Sequence, residues 1–264
     1  MNIINSTNNP KIKELVKLHK ASQRKDRGVV LIDGEREIIS AVKAKWEIIT
    51  LFYCPELIAA RAGKLNNFLG VSSENVVEVS RSVFDKICYK DKPDGFMAVA
   101  KQKNLSLDNI SLSQAPLVVI LEAVEKPGNL GAIIRSAYAS EVDVVIVNDS
   151  QTDIYNPNTI RASEGLIFSQ PMVVATLAET RQWLKKNRIT SFAASTSAKQ
   201  NYWQANFQKG VAIVLGSEAD GLSKEWLVGA DHTLKIPMRS EVDSLNVSVS
   251  AALVIYEVLR QRHK

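Results

Sequence analysis

Apolar residues recur in short runs along the chain, and polar residues at helical spacing follow most of these runs. Apolar runs of about 4–8 residues between turn-forming residues are typical of buried strands. In the first part of the chain they predict strands at Val29–Asp33, Ile48–Tyr53, Val76–Val79 and Phe96–Ala100, with helices near Glu35–Lys45 and Leu57–Leu69. This order indicates a small α/β unit.

The second part of the chain has the same alternation on a larger scale. It predicts buried strands near Leu117–Leu121, Val142–Val147, Met172–Ala175, Thr190–Ala194, Val211–Leu215 and Thr233–Ile236, separated by helical stretches, with a last helix over about Leu245–His263. Such alternation favours a mainly parallel sheet covered on both faces. We therefore predict an α/β protein with one domain over 1–105, a linker over 106–115 and a second domain over 116–264.

Composition narrows the kind of protein. The two cysteines, Cys54 and Cys88, provide no disulfide framework, and the three scattered histidines show no metal-ligand spacing. No apolar run approaches the length of about 18 residues that spans a membrane, and the first residues lack a signal-peptide pattern. We expect a cytoplasmic protein without a metal or a membrane segment.

Charge is divided unevenly along the chain. Residues 1–105 hold 18 Lys+Arg against 12 Asp+Glu, a balance of +6, whereas residues 106–264 hold 15 against 16, a balance of −1; together these give the net charge of +5. The densest basic run contains Lys11, Lys13, Lys17, Lys20, Arg24, Lys25 and Arg27. Its apolar positions predict a basic amphipathic helix, which either holds RNA phosphates or is simply a solvated lysine-rich face.

Two strand ends carry candidate chemistry. The strand at 117–121 leads into Glu125-Lys126-Pro127-Gly128-Asn129-Leu130-Gly131-Ala132-Ile133-Ile134-Arg135-Ser136. Its Pro-Gly-Asn sequence predicts a turn after the strand, followed by a helix near Ala132–Ser140. The strand at 211–215 leads into Gly216-Ser217-Glu218-Ala219-Asp220-Gly221-Leu222-Ser223. Such corners are where α/β sheets bind ligands, and glycines there permit sharp turns or close backbone approach.

A third segment, Pro237–Ser250, connects the last strand to the last helix. It places Ser244 and Asn246 side by side at the helix start. Either residue can cap the helix by accepting hydrogen bonds from free N–H groups of the first turn. A capped helix and a binding loop are both compatible with these residues.

In this order and spacing, the three segments resemble the SpoU-type RNA 2′-O-ribose methyltransferases of the SPOUT superfamily. The resemblance covers roughly 117–260 and includes Asn-Leu-Gly-Ala-Ile-Ile-Arg, Gly-Ser-Glu-Ala-Asp-Gly-Leu and Ser-Leu-Asn-Val-Ser-Val-Ser, together with Arg161-Ala162-Ser163-Glu164-Gly165. The first part, with Gly34-Glu35-Arg36-Glu37 and Asp94-Gly95-Phe96, more loosely resembles the ribosomal-protein-like substrate-binding domain that precedes the catalytic domain in many such enzymes.

The resemblance implies a fold, a cofactor and an assembly. The expected fold is a sheet whose C-terminal segment passes through a preceding loop in a deep trefoil knot, which nothing in the periodicity would suggest. It also implies a homodimer that binds S-adenosylmethionine. The cofactor contacts it implies are Leu215, Gly216, Glu218, Ile236, Met238, Leu245 and Asn246.

The resemblance further implies that Arg135 activates the ribose hydroxyl, with Asn129 nearby. Arginine is a poor general base, so a bidentate phosphate clamp and a purely structural ion pair stay open as roles for Arg135. Glu218 is expected to anchor Arg135 or the nucleotide, and Ser244 and Asn246 to contact substrate or cofactor. Arg161 is expected to meet RNA phosphate or the partner subunit.

Several functions remain compatible with these residues. Ribosomal RNA is the favoured substrate because of the ribosomal-protein-like first part, and transfer RNA is the alternative. A non-catalytic RNA-binding protein would leave the intact motifs unexplained. A nucleotide-binding oxidoreductase is disfavoured, because the first corner is Pro-Gly-Asn-Leu-Gly rather than the Gly-x-Gly-x-x-Gly of dinucleotide folds.

Overall fold

The computed structural model of the chain describes residues 2–58, 71–103, 105–150 and 153–263. The chain forms two compact units: 1–103 with 155–169, and 104–154 with 170–264. The segment Tyr155–Ser169 thus packs with the first unit, although it follows the first strands of the second. The domain boundaries drawn from the sequence, at 105 and 116, stay a prediction.

The first unit is built on a mixed sheet of five strands. Its strands are β1 (Asn2–Ile4), β2 (Val29–Asp33), β3 (Ile48–Tyr53), β4 (Val76–Val79) and β5 (Phe96–Lys101), in the order β1-β4-β3-β5-β2. Strands β1, β4 and β3 are parallel, and β5 runs antiparallel to both β3 and β2. The four strands predicted from the apolar runs are confirmed.

Helices cover this sheet. They are α1 (Pro10–Lys17), α2 (Ala21–Arg27), α3 (Glu35–Lys43), α4 (Pro55–Ile58), α5 (Arg81–Ile87) and, after the segment of the second unit, α7 (Pro157–Ala162). Ile12 and Leu15 of α1 pack with Phe52 of β3 and Phe84 of α5 in one apolar cluster. The helix predicted near Leu57–Leu69 lies mostly outside the described residues.

The predictions for the N-terminal basic run, a single helix with Arg24 on its surface, are wrong in two respects. The run forms two helices, α1 and α2, and Arg24 is only 2% exposed. Its guanidinium donates to the carbonyl oxygens of Leu18, at 2.7 Å, and His19, at 2.9 Å. A helix end leaves such carbonyls without intrahelical partners, and Arg24 satisfies them. Arg24 therefore closes the end of α1, and its predicted role as a surface contact for RNA is wrong.

The second unit contains a six-stranded sheet that is parallel throughout. Its strands are β6 (Leu117–Glu122), β7 (Val144–Asn148), β8 (Met172–Val174), β9 (Thr190–Ala194), β10 (Val211–Leu215) and β11 (His232–Leu234), and its helices are α6 (Pro127–Ala139), α8 (Leu177–Lys186), α9 (Lys224–Gly229) and α10 (Val247–Arg262). The predicted parallel sheet is confirmed. No helix among the described residues is long and apolar enough to cross a membrane.

The strand order of this sheet, β11-β9-β10-β6-β7-β8, fixes where a ligand fits. From β6 the chain proceeds to β7 and β8 on one side, then crosses to β9 on the other side and returns as β10 between β9 and β6. The loops that leave the carboxyl ends of β6 and β10 therefore diverge and open a crevice, which is where open α/β sheets bind ligands. Both strands are buried along their whole length, as their continuous apolar runs predict.

Candidate functional site

The corner after β6 brings Asn129 and Arg135 onto one helix. Helix α6 begins at Pro127, five residues earlier than the sequence suggested, so the predicted Pro-Gly-Asn turn is its first turn. Proline fits the first helical position, because its missing N–H would have no partner there and its φ is already helical. Asn129 therefore faces the crevice mouth, and Arg135 lies six residues further along α6 on an exposed part of its surface.

The corner after β10 is a tight loop closed by its own backbone. Ser217 and Gly221 exchange backbone hydrogen bonds of 3.1 and 3.2 Å. A Cβ atom at Gly216 would lie 2.1 Å from the carbonyl carbon of Gly221, and Gly221 itself has a φ of +68°. Only glycine fits at position 216, because here the chain approaches its own backbone. The loop holds Glu218 at its tip.

Asn246 starts helix α10. Its Oδ1 accepts hydrogen bonds from the backbone N of Ser248, at 2.9 Å, and from the Ser248 hydroxyl, at 2.6 Å. The helix thus begins at Val247, two residues later than predicted, and the capping role of Asn246 is confirmed. Because Oδ1 is used in the cap, the amide nitrogen of Asn246 is directed to a different partner.

That partner is Asn129, and the three corners meet through it. The Asn246 Nδ2 donates to Asn129 Oδ1 at 3.2 Å, and the Asn129 Nδ2 donates to the Glu218 carboxylate. In both bonds the residue nearer the helix cap donates and the residue nearer the carboxylate accepts. One hydrogen-bonded row thus joins the ends of β6 and β10 to the start of α10.

A cavity of about 570 Å³ opens beside this row. Six of the seven predicted cofactor residues line it: Leu215, Gly216, Glu218, Ile236, Met238 and Leu245. Ser244 also lines it, whereas Asn246 is absent from its walls and reaches the site through Asn129. The structure therefore brings together residues that the sequence separates by about thirty positions.

The sequence reasoning missed several residues of the site. Ser195 and Thr196, which follow β9, line the cavity, as does Asp243. Glu122 at the end of β6 is 4% exposed and accepts the backbone N–H of Ser223, at 2.8 Å, which ties the α9 start to the same edge. Their only sequence signal is position: polar residues that directly follow, or end, a buried strand.

The cavity lining suits a particular kind of ligand. Apolar side chains such as Leu215 and Ile236 offer a surface for a flat ring, and hydroxyl groups add hydrogen-bonding partners. Among the described residues, its charged lining groups are all carboxylates, from Glu218, Asp220 and Asp243, with no lysine or arginine. Such a cavity favours a partly apolar ligand that carries positive charge.

The remaining candidate residues lie elsewhere. Arg161 is on α7, in the first unit, where its guanidinium donates to Asn158 at 3.2 Å. Lys11, Lys13, Lys17 and Lys20 are exposed, and Lys17 pairs with Glu14 at 2.6 Å. Among the described residues, no group of three or more His, Cys, Asp or Glu is arranged to hold a metal ion.

Comparisons with known proteins agree with this arrangement. Residues 116–256 match the SpoU rRNA Methylase family, and residues 9–98 match the MRM3-like substrate binding domain. The chain is 26% identical over 258 residues to the 23S rRNA (guanosine(2553)-2'-O)-methyltransferase of Bacillus subtilis strain 168, covering 98% of this chain and 99% of that protein.

Solved structures give the same result. A crystal structure of an RNA 2'-O ribose methyltransferase is 36% identical with a TM-score of 0.81, covering 99% of this chain and 100% of that one. The SpoU methyltransferase AviRb from Streptomyces viridochromogenes, in complex with AdoMet, is 27% identical with a TM-score of 0.88, covering 97% and 99%. The resemblance seen in the sequence is thereby confirmed, and the chain belongs to the SpoU rRNA methylase family.

Proposed function

We propose that this protein transfers the methyl group of S-adenosylmethionine to a ribose 2′-hydroxyl of ribosomal RNA. The observation that carries the proposal is the hydrogen-bonded row from Asn246 through Asn129 to Glu218, set at the rim of a carboxylate-lined cavity. Ribosomal RNA is favoured over transfer RNA, because the Bacillus subtilis relative that spans the chain is a 23S rRNA enzyme.

The cofactor is proposed to occupy the cavity. S-adenosylmethionine combines an apolar adenine with an amino group and a sulfonium centre, both positively charged. Leu215, Ile236 and Leu245 are placed to pack on the ring, and the carboxylates of Glu218, Asp220 and Asp243 to attract the positive charge. The closed loop at Gly216 contributes backbone groups to the cavity. A residue with a larger side chain than glycine would not leave these groups accessible.

The reaction is a displacement at carbon. The ribose oxygen forms a bond to the methyl carbon, the carbon–sulfur bond breaks with its electron pair going to sulfur, and the hydroxyl proton leaves. Orientation of two bound reactants supplies roughly 7–11 kcal/mol of such a barrier. Asn129 is held from both sides, by Glu218 and Asn246, so it is well placed to fix the ribose at one position.

Arg135 is proposed to act on the RNA from the outer side of α6. A guanidinium group is a poor general base at neutral pH. A planar fork of N–H donors suits the phosphate next to the reacting ribose. We therefore assign Arg135 as the phosphate clamp, with the proton passing to water or phosphate.

The active form is proposed to be a homodimer. Helix α10 presents Val249, Leu253 and Tyr256, which are 48%, 37% and 48% exposed, on a side that does not face the core. These residues form an exposed apolar stripe at helical spacing, and such a patch is typical of a surface that packs against another molecule. Tyr138 of the adjacent α6, 46% exposed, lies one turn from Arg135, so the dimer contact would border the site.

Three further parts of the proposal follow from family membership. The exposed lysines Lys11, Lys13, Lys17 and Lys20 of the first unit are proposed to hold RNA phosphates, with Arg161 as a further contact. A ribosomal RNA substrate implies a cytoplasmic protein. The trefoil knot of the C-terminal segment stays a prediction.

Methyl transfer from labelled S-adenosylmethionine tests the proposal. Protein-free 23S rRNA, 16S rRNA and transfer RNA are each offered to the purified chain, and the methylated nucleotide is mapped. We expect transfer to ribosomal RNA at a 2′-oxygen. Methylation of transfer RNA alone would show that transfer RNA, not ribosomal RNA, is the substrate. Cofactor binding without methyl transfer to any RNA would favour a non-catalytic RNA-binding protein.

A separate experiment tests the dimer. Leu253→Glu should give monomers in light scattering, whereas Val228→Glu, at an 86% exposed position of α9, should not.

A further inference from the structure

A second cavity, of about 760 Å³, lies at the amino end of β9, whereas the first cavity lies at the carboxyl end of that strand. It is lined by α8, by the end of α9 and by Thr190 and Ser191 at the start of β9, whereas the first cavity is lined by Ala194 at the end of β9. The nearest of these residues, Ser191 and Ala194, are three positions apart along β9, which is about 10 Å. The second cavity is therefore distinct from the proposed site of methyl transfer.

Three cationic side chains line this cavity: Arg181, Lys185 and Arg188. All three are exposed, and none makes a side-chain hydrogen bond or an ion pair with any residue that the structure describes. By contrast, the neighbouring Lys186 pairs with Asp108 at 3.6 Å and does not line the cavity. Residues 106–264 have a balance of −1, yet four of their 15 Lys+Arg fall within 181–188.

The surroundings keep this positive charge available. A Cβ atom at Gly229 would lie 2.6 Å from the guanidinium carbon of Arg181, so the missing side chain at 229 makes room for Arg181 there. Asp231, the one carboxylate in the described lining, accepts hydrogen bonds from the Ser191 backbone N, at 2.8 Å, and hydroxyl, at 2.7 Å. Burial alone would raise the pKa of Asp231, but these bonds outweigh it and lower the pKa. The Asp231 carboxylate is thus already hydrogen-bonded to Ser191 of β9.

We propose that this basic cavity binds backbone phosphates of the RNA substrate, as a second contact away from the reacting ribose. The inference deepens the proposed function and rests on it. Two guanidinium forks and one ammonium group supply the charged N–H donors that phosphate oxygens accept, and such contacts are independent of base sequence. Because each neutralised phosphate releases counterions, the contacts also make affinity depend on salt.

A charge-matched pair of triple variants tests the proposal. Arg181→Ala/Lys185→Ala/Arg188→Ala removes three cations from the cavity, and Lys186→Ala/Lys209→Ala/Lys224→Ala removes three exposed cations of the same unit outside it. Binding of each full-length variant to protein-free 23S rRNA is measured between 50 and 200 mM salt. At about 0.7–0.9 per phosphate contact, the first variant should lose roughly 2 units of salt slope and at least tenfold in affinity. Equal losses in the two variants would overturn the proposal.

Gly229→Ala supplies a second variant that leaves net charge unchanged. Its methyl group displaces the guanidinium of Arg181, a flexible side-chain end, so the fold should be retained in thermal melting. We expect RNA affinity to fall severalfold in the wild-type background and not to change in an Arg181→Ala background, because the two changes act on one contact. Additive losses, or no loss, would contradict the inference.

The outcomes for the two proposals are distinguishable. Methyl transfer by the wild-type chain to the same RNA reports on the proposed function alone. If the wild type transfers methyl groups and the cavity triple variant binds RNA as the control does, the cavity does not hold RNA, and an acidic protein segment becomes its candidate ligand. If the wild type transfers none, the proposed function fails whatever the binding comparison gives.

Discussion

The two units use their polar side chains in contrasting ways. In the first unit, Lys90 contacts Glu37 at 3.3 Å and Asp94 at 3.4 Å, and Asp33 accepts the backbone N–H groups of Tyr89 and Lys90 at 2.6 and 2.9 Å. These groups lie mostly inside the unit, where they hold one loop against the end of β2. In the second unit, the row of Asn129, Glu218 and Asn246 lies at the rim of a cavity.

The difference teaches where function is to be sought. Polar groups enclosed by their own chain use their hydrogen bonds and ion pairs to fix a loop, and removing one leaves an uncompensated partner. Polar groups at a cavity rim keep capacity for a ligand, and their removal changes binding more than folding. The contrast predicts that changes in the first cluster lower stability, and that changes in the second lower activity.

Arg135→Ala should give the largest effect. We expect methyl transfer to fall by orders of magnitude, because a phosphate next to the reacting ribose loses its clamp, while the melting temperature and cofactor affinity change little. Arg135→Lys should rescue poorly, since a single ammonium group lacks the planar fork. Single-turnover rates on ribosomal RNA provide the measurement. Near wild-type transfer by Arg135→Ala would contradict both the clamp and the base.

Lys90→Met should show the opposite behaviour. The Glu37 side chain is 8% exposed, so loss of Lys90 leaves a nearly buried carboxylate without its cation, at a cost of about 3 kcal/mol in unfolding free energy. Turnover per folded molecule should stay close to wild type. Urea unfolding and active-site titration separate the two quantities. Lys92→Met, at an exposed position two residues away, is the control and should lose little stability.

Asn246→Ala tests the residue that belongs to both categories. The lost helix cap should cost about 1 kcal/mol of stability. The lost hydrogen bond to Asn129 should also lower turnover, and S-adenosylmethionine should raise the melting temperature less than it does in wild type. Asn156→Ala removes a similar cap from α7, where it should lower stability alone. Equal cofactor-induced shifts and equal turnover in Asn246→Ala and wild type would reduce Asn246 to a cap.

The smallest predicted effect is a pair of opposite pH slopes. Burial raises the pKa of Asp33, so the folded state holds its proton to higher pH than the unfolded state, and stability declines as pH rises from the unfolded to the folded pKa. Asp231, whose pKa is lowered, contributes stability that is present above the unfolded pKa and is lost as pH falls through the folded pKa. Unfolding between about pH 2 and 7 should show each slope, of at most about one proton, disappear in Asp33→Asn and Asp231→Asn respectively.

The sequence predicted the strands better than the contacts between their ends. Buried parallel strands are continuous apolar runs, so β6, β7 and β10 are readable directly. The start of α6 at Pro127 was missed, because a Pro-Gly-Asn sequence fits a turn and a helical first turn equally well. The burial of Arg24 was unpredictable, since its carbonyl partners are created by the break between α1 and α2.

For the site, individual residues were predictable and their partners were not. Family resemblance placed Asn129, Glu218 and Asn246 together, but which atom bonds to which depends on Asn246 first using its Oδ1 in the helix cap. Ser195 and Thr196 join the cavity only because β9 lies beside β10 in the sheet. Such adjacency follows from strand order, which periodicity does not contain.

The placement of Tyr155–Ser169 in the first unit has a consequence for how this protein is made. The chain passes between the units three times, at 103/104, 154/155 and 169/170, so neither unit is a single continuous stretch. During synthesis at about 5–20 residues per second, the first unit remains incomplete until position 169 has left the ribosome, by which time β6 and β7 have already emerged. For several seconds the nascent chain therefore carries two incomplete units at once. Exposed strand edges and apolar surfaces are prone to aggregation during this period, so this is when a chaperone is most useful.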